Sequence, residues 1–336
     1  MSEEVKEQAV VPEKDAETNG ETEGKIDLKI KSLKINPEQE KKLEKLIKLI
    51  PKILEEVKDS DYDEIFGYRI NTDEKEHVDV AVRNEILLKF LIANDYDVNA
   101  AQKALVATLN WRNKFRPLSA AFQETHDKEL EDLGVVTVFD AASGNLKTVT
   151  WNLYGKLKNP KVLFERVASE GGEASAQQKE GSQFLRWRIG LMERALVLID
   201  FTDPDNHQVS QVHDYNNVSF LRMDPNVKNS TKEVIKIFSD NYPELLHAKF
   251  FINVPTLMSW VFAFVKRLGF MSAETIKKFQ VLNSGDLSEW FGQKTLPKEY
   301  NGGKETPVES LTKLDVAAPS NDELPEYAKI ILEKSN

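Results

Sequence analysis

The spacing of apolar residues first changes from helix-like to strand-like at Leu133-Gly134, and that change restricts the chain to a fold joining a helical part to a sheet. Upstream, apolar residues recur at three- and four-residue intervals, as in Leu43, Leu46, Ile47 and Ile50, then Ile86, Leu87, Phe90 and Leu91, then Ala104, Leu105, Leu109 and Trp111. Such spacing predicts a helix opened by Asn36-Pro37 and broken at Pro51, a turn region over 62–68, and helices over 77–94 and 99–115. Downstream, residues 135–139 and 147–151 alternate like strands around the turn signal Ser143-Gly144-Asn145, which is hairpin grammar. A helix begins at Phe164, breaks at a flexible insertion over 169–175, and resumes over 183–194. Strands are expected at 195–201, 211–221 and 249–253, and helices at 230–242, 256–268 and 273–278. Alternation of this kind is the signature of an α/β sheet with crossover helices.

Composition narrows the function classes. A chain of 336 residues with 40% hydrophobic content can bury a sizeable core. The absence of cysteine excludes disulfides, zinc-thiolate sites and a thiol nucleophile, and suits a reducing, cytoplasmic setting. A net charge of -10 argues against sequence-independent nucleic-acid binding, which needs a basic footprint. Half of that charge, -5, lies before Ile26, where eight carboxylates face three lysines; residues 1–25 therefore read as a disordered acidic tail. The longest apolar stretch, 254–264, is too short to span a bilayer, so membrane contact is expected to be peripheral. With no glycine-rich phosphate loop, no His-Glu-x-x-His and no nucleophile elbow, the chain does not read as an enzyme.

The tripeptide His213-Asp214-Tyr215 carries the clearest chemical signal. If residues 212–220 are extended, His213 and Tyr215 share one face and Asp214 takes the other. Imidazole and phenolate both bind ferric iron, and a tyrosinate is a credible axial haem ligand. The same pair also suits a hydrogen-bonded core contact, and the tripeptide alone leaves both readings open.

Several segments, in order, resemble the CRAL-TRIO, or Sec-fourteen-like, lipid-binding family over roughly residues 37–303. They are Leu88-Lys89-Phe90-Leu91 before Asp95-Tyr96-Asp97-Val98, Trp111-Arg112, Asn241-Tyr242-Pro243-Glu244-Leu245, Phe251-Ile252-Asn253-Val254-Pro255, and the run from Leu296 to Gly303. Thr150-Trp151-Asn152-Leu153-Tyr154-Gly155, Arg188-Ile189-Gly190-Leu191-Met192-Glu193 and Gln211-Val212-His213-Asp214-Tyr215 resemble one fungal subfamily more closely. Its members are the fifth Sec-fourteen homologues, non-classical phosphatidylinositol transfer proteins that also bind haem b.

The resemblance implies an N-terminal helical lobe (26–125), a mixed β-sheet with covering helices enclosing an apolar pocket (126–305), and a C-terminal extension (306–336) with a short helix near 327–333. Residues 256–268 would form a lid facing ligand on one side and bilayer on the other. For phosphatidylinositol the family pattern maps onto Glu244 and Lys278, while the family's arginine on the early helix falls at Asn94. Where choline-lipid binders carry serine and threonine, this chain has Val209 and Gln211, so choline-lipid binding is not expected. For haem b the carry-over is Tyr154, Arg188, His213, Tyr215 and Lys249, with Tyr215 as axial ligand to iron and His213 as neighbour or second ligand. The expected protein is cytoplasmic and peripheral on the endoplasmic reticulum or microsomal membrane and the plasma membrane. It would exchange phosphatidylinositol and influence 4,5-bisphosphate levels; the alternative is a haem-dependent redox or oxidant-stress-response protein with little lipid exchange.

Overall fold

The computed structural model of the protein describes residues 27–139, 144–169, 180–218, 225–255, 277–311 and 323–334. The expected acidic tail, nearly all of the insertion, the lid helix and most of the helix at 273–278 lie outside the described residues. Helix α1 (Pro37–Lys48) starts at a reciprocal cap: the Asn36 side chain accepts from the Gln39 N–H at 3.0 Å, and the Gln39 side chain accepts from the Asn36 N–H at 2.9 Å. The expected break falls at Leu49, and α2 (Ile50–Glu56) resumes with Pro51 in its first turn, where a missing N–H costs nothing. A two-stranded ribbon, β1 (Glu64–Ile65) and β2 (Tyr68–Arg69), occupies the predicted turn region. Helices α3 (Val80–Ala93) and α4 (Val98–Phe115) follow, capped by Asp79 and Asp97.

Short helices α5 (Pro117–Phe122) and α6 (Lys128–Glu131) lead into a five-stranded sheet of β3 (Gly134–Val138), β4 (Thr148–Asn152), β5 (Val209–Asp214), β6 (Leu246–Ile252) and β7 (Phe279–Val281), ordered as in the chain. The first pair is the expected antiparallel hairpin, and every later pair is parallel. Parallel neighbours need crossovers. α7 (Pro160–Ser169) and α8 (Gln183–Leu196) connect β4 to β5, and α9 (Pro225–Asn241) connects β5 to β6. One face of the sheet packs Val149, Trp151, Val212, Phe250 and Ile252 against Leu287, Leu296, Tyr300 and α10 (Ser288–Phe291). On the other face α8 lies over β3 and β4, and its apolar residues join those of α1 to α4 in one core. A last helix, α11 (Glu326–Lys334), returns to the N-terminal part, seating Tyr327, Ala328 and Ile331 beside Tyr62 and Leu118.

The strand expected at 195–201 is not formed. Ala195 and Leu196 complete the buried face of α8, and Val197 to Thr202 make turns, with Ile199 and Phe201 packed into the core. An apolar run interrupted only by Asp200 satisfies burial equally well as a helix end plus a buried turn, and β4 is already flanked by β3 and β5. β5 ends at Asp214, short of the expected 221.

A buried ionic cluster joins the early helices to the sheet's cover. Arg112 on α4 pairs with Glu64 of β1 at 2.8 Å and Glu193 of α8 at 2.7 Å, with all three side chains at most 1% exposed. Tyr62 donates to Glu64 at 2.7 Å and Tyr242 to Glu193 at 2.6 Å, using further carboxylate lone pairs. Arg112→Ala would leave two carboxylates buried without their cation, and is expected to cost about 3–5 kcal/mol in chemical denaturation.

Candidate functional site

The parallel register of β5, β6 and β7 builds one wall from alternate residues. Gln211 lies beside Lys249, His213 beside Phe251, and Lys249 beside Phe279. The intervening Val212, Phe250 and Ile252 face the opposite apolar cluster. Tyr215 is one residue past the strand, yet its N–H donates to the Ile252 carbonyl at 3.1 Å, so the alternation persists and His213 and Tyr215 share a face as expected. Asp214 points the other way, accepting from the Tyr300 hydroxyl at 3.1 Å, Asn253 Nδ2 at 2.8 Å and the Asn216 N–H at 2.9 Å.

Tyr154 comes from the turn after β4. Its ring centroid lies 5.7 Å from that of His213 and 5.6 Å from that of Tyr215, and Phe251 continues the aromatic lining 5.4 Å from His213. Gly155 permits this turn: a Cβ there would fall 2.0 Å from the Asn216 carbonyl oxygen. Arg188 reaches the wall from α8. Its Nη2 donates to Gln211 Oε1 at 3.2 Å, its guanidinium lies 5.0 Å above the Phe238 ring and beside the Tyr154 hydroxyl, and among the described residues Nη1 has no well-formed hydrogen bond. Lys249 Nζ lies 5.4 Å above Phe251 and 5.8 Å above Phe279. Among the described residues no carboxylate pairs with Arg188 or Lys249. The wall carries further unmatched polarity in Thr150 Oγ1 and Asn152 Oδ1, also buried without partners.

These groups are largely enclosed by protein, and Tyr154, Tyr215 and Lys249 retain some accessible surface. Desolvation, with the Arg188 charge added, lowers the Lys249 pKa to about 7. Burial, then the charges of Lys249 and Arg188, hold His213 well below the ordinary imidazole value, so it is neutral. Burial raises both phenols, partly offset at each by Arg188. The wall thus has excess positive charge, a neutral imidazole and two phenols that keep their protons.

A second cluster lies at the start of β6. Glu244, in the left-handed region at φ 52°, pairs with Lys278 at 3.3 Å. Buried Lys89 donates to the Glu244 carbonyl at 3.2 Å and the His207 carbonyl at 3.1 Å, and burial lowers its pKa to about 8. A cleft of about 360 Å³ opens here, lined in part by Lys89, His207, Glu244 and His247. The two clusters are joined through backbone, since the Lys249 N–H donates to the Lys278 carbonyl at 2.8 Å. Asn94 takes no part in either: its side chain donates to the Phe90 carbonyl of its own helix at 2.8 Å. Val209 is fully buried in the core.

The structure therefore gathers Tyr154, Arg188, His213, Tyr215 and Lys249 in one place and Glu244 and Lys278 in another. Sequence reasoning missed Gln211 as a member of the first group and Lys89 and His207 as members of the second. Lys89 carried a signal: it is the one charge inside Ile86-Leu87-Leu88-Lys89-Phe90-Leu91-Ile92.

Comparison with known proteins agrees with this architecture. Residues 136–302 match the CRAL/TRIO domain. Phosphatidylinositol transfer protein SFH5 of Debaryomyces hansenii is 61% identical over 303 residues, covering 90% of this chain and 88% of that one. The Candida albicans protein of the same name is 54% identical, covering 91% and 92%. A crystal structure of Sfh5 superposes with a TM-score of 0.77 at 38% identity, covering 90% of this chain and 99% of that one. The chain belongs to the CRAL-TRIO family, in the branch formed by the SFH5 proteins.

Gly155→Ala tests the geometry of the aromatic lining. The 2.0 Å approach is to backbone, so the Tyr154 turn must move away from Tyr215, with an expected cost of about 1–3 kcal/mol in denaturant unfolding. An unchanged midpoint would contradict the close approach.

Proposed function

We propose that the protein binds phosphatidylinositol and carries it between membranes, and that the wall of β5 and β6 also holds ferric haem b. For the lipid, the support is kinship with relatives named phosphatidylinositol transfer proteins, together with the Glu244–Lys278 pair beside a cleft. An ammonium can neutralise a phosphodiester while a carboxylate accepts from inositol hydroxyls. Exchange requires contact with a bilayer, and among the described residues no helix is long and apolar enough to cross one. A peripheral carrier on cytoplasmic faces of the endoplasmic reticulum or plasma membrane fits, and would act on 4,5-bisphosphate levels through precursor supply.

For haem, the observation that carries the reading is the enclosed pair Arg188 and Lys249, beside Tyr215 with no carboxylate among the described residues to balance them. Haem brings two propionates and an iron that takes a protein ligand; Arg188 and Lys249 Nζ would hold the carboxylates, and Tyr215 Oη would supply an oxygen ligand. His213 and Tyr215 offer two donors, a set that suits an iron whose remaining ligands come from a macrocycle. When bound, haem supplies ferric Lewis acidity and one-electron chemistry. The residues here would orient it and set aromatic rings beside it. The reading of a haem-dependent redox or stress-response protein with little lipid exchange is favoured by one observation: Asn94 stands where the family's phosphate-binding arginine is expected, and its side chain is engaged with Phe90.

Transfer of phosphatidylinositol between vesicles separates these readings. Lys278→Ala is expected to lower the transfer rate about tenfold, the loss of roughly 1.4 kcal/mol of charge-assisted binding, while Tyr215→Phe leaves it within about twofold. Absence of transfer by wild-type protein would exclude the carrier reading. The absorption spectrum of protein from a haem-sufficient host is expected to show a Soret band at one haem per chain, shifted or lost in Tyr215→Phe; a colourless wild type would exclude haem.

A further inference from the structure

We propose that Gln211 is a positioning residue that fixes the tautomer of His213, so that Nδ1, and not Nε2, is the basic nitrogen this site offers. Gln211 stands between Arg188 and His213 on the ligand-facing wall. Its Oε1 accepts from Arg188 Nη2 at 3.2 Å and lies 3.4 Å from His213 Nε2, while its Nε2 faces the Met192 sulfur at 3.8 Å. Amide orientation is normally a matter of choice between two near-identical shapes. Here it is not. A guanidinium has five N–H donors and no acceptor, so only the amide oxygen can face it. Turning the amide over would set an NH2 against the guanidinium and place the oxygen against a sulfur that can only accept.

The consequence passes to the imidazole. A carbonyl oxygen accepts and never donates, so the hydrogen between Gln211 Oε1 and His213 Nε2 must belong to the ring. Neutral imidazole carries one N–H, which leaves Nδ1 with the lone pair. No perturbed pKa is needed: above about pH 8 any imidazole of ordinary pKa near 6.5 is neutral. Among the described residues Nδ1 has no hydrogen-bond partner. Arg188 thus orders Gln211, Gln211 orders His213, and the site presents a nitrogen acceptor whose identity is set two residues away from the ring.

This chain of bonds also determines what His213 can recognise. Through Nδ1 it can bond a metal ion or accept from a hydroxyl or protonated carboxyl group of a ligand; it cannot donate to one, because its only N–H is committed to Gln211. Ligands that bring acceptor oxygens to this point would instead turn to Arg188 Nη1 or Lys249. The role toward haem rests on the haem reading, whereas the tautomer is a property of the protein without it.

The test is long-range 1H–15N correlation on haem-free protein with 15N-labelled histidine at pH 8.5, using His213→Gln to assign one of the five histidines. The expected spectrum has Nε2 at a pyrrole-like shift and Nδ1 at a pyridine-like shift. Gln211→Leu is expected to lose this single pattern, giving mixed or inverted shifts, and Gln211→Glu to restore it, because a carboxylate accepts from both neighbours. A wild-type His213 protonated at Nδ1, or a folded Gln211→Leu with an unchanged pattern, would overturn the proposal. If Gln211→Leu does not fold, the wild-type and Gln211→Glu spectra decide alone. Adding ferric haem to the same sample then reports separately: no Soret band would defeat the haem reading and leave the tautomer result standing.

Discussion

Two basic groups held off water, Arg188 and Lys249, with no carboxylate beside them among the described residues, constrain the rest of this molecule. A desolvated cation without a counter-charge is unfavourable, and proteins keep such groups where a ligand completes them. The pair exists because α8 crosses the sheet face above β4 while β6 presents Lys249 from below, in register with Gln211. Burial, with the charges of Lys249 and Arg188 added, keeps His213 neutral, and Arg188 works against the burial that holds protons on Tyr154 and Tyr215. The wall is therefore suited to an anionic ligand and poorly suited to a cationic headgroup.

Rigidity behind the wall comes from the side of the sheet that carries no ligand chemistry. Asp214 is fixed by Tyr300, Asn253 and the Asn216 backbone, and this locks the turn from which Tyr215 emerges. Gly155 presses the Tyr154 turn onto the same Asn216. On the far side of α8, Glu193 is tied through Arg112 to Glu64, so the helix that carries Arg188 is anchored to the N-terminal part of the chain. A ligand arriving at the wall meets side chains already ordered, which reduces the entropy lost on binding.

Where pattern and partner coincide, the sequence was legible. The hairpin of β3 and β4 has alternation and a turn signal, and α1, α3 and α4 have apolar spacing with Asn or Asp caps. Residues 195–201 misled because the apolar run 195–199 carries no period; its burial is satisfied by a helix end and a turn. For the site, the alternation of His213 and Tyr215 was readable from spacing, but the convergence of Tyr154, Arg188 and Lys249 came only through family resemblance. Their separation spans 95 residues and depends on parallel register, which no local pattern encodes. Gln211 was seen only as the absence of a choline-lipid residue, because its role arises from what lies on either side of it in space.

The most direct measurement is the titration of Lys249 itself in haem-free protein, following its 13Cε and 15Nζ shifts with Lys249→Arg for assignment. An enclosed amine beside Arg188, with no carboxylate near it among the described residues, is expected to titrate near pH 7, and to move upward once an anionic ligand is bound. A midpoint at the ordinary lysine value of about 10.4, unmoved by ligand, would contradict the central claim that this wall holds uncompensated positive charge.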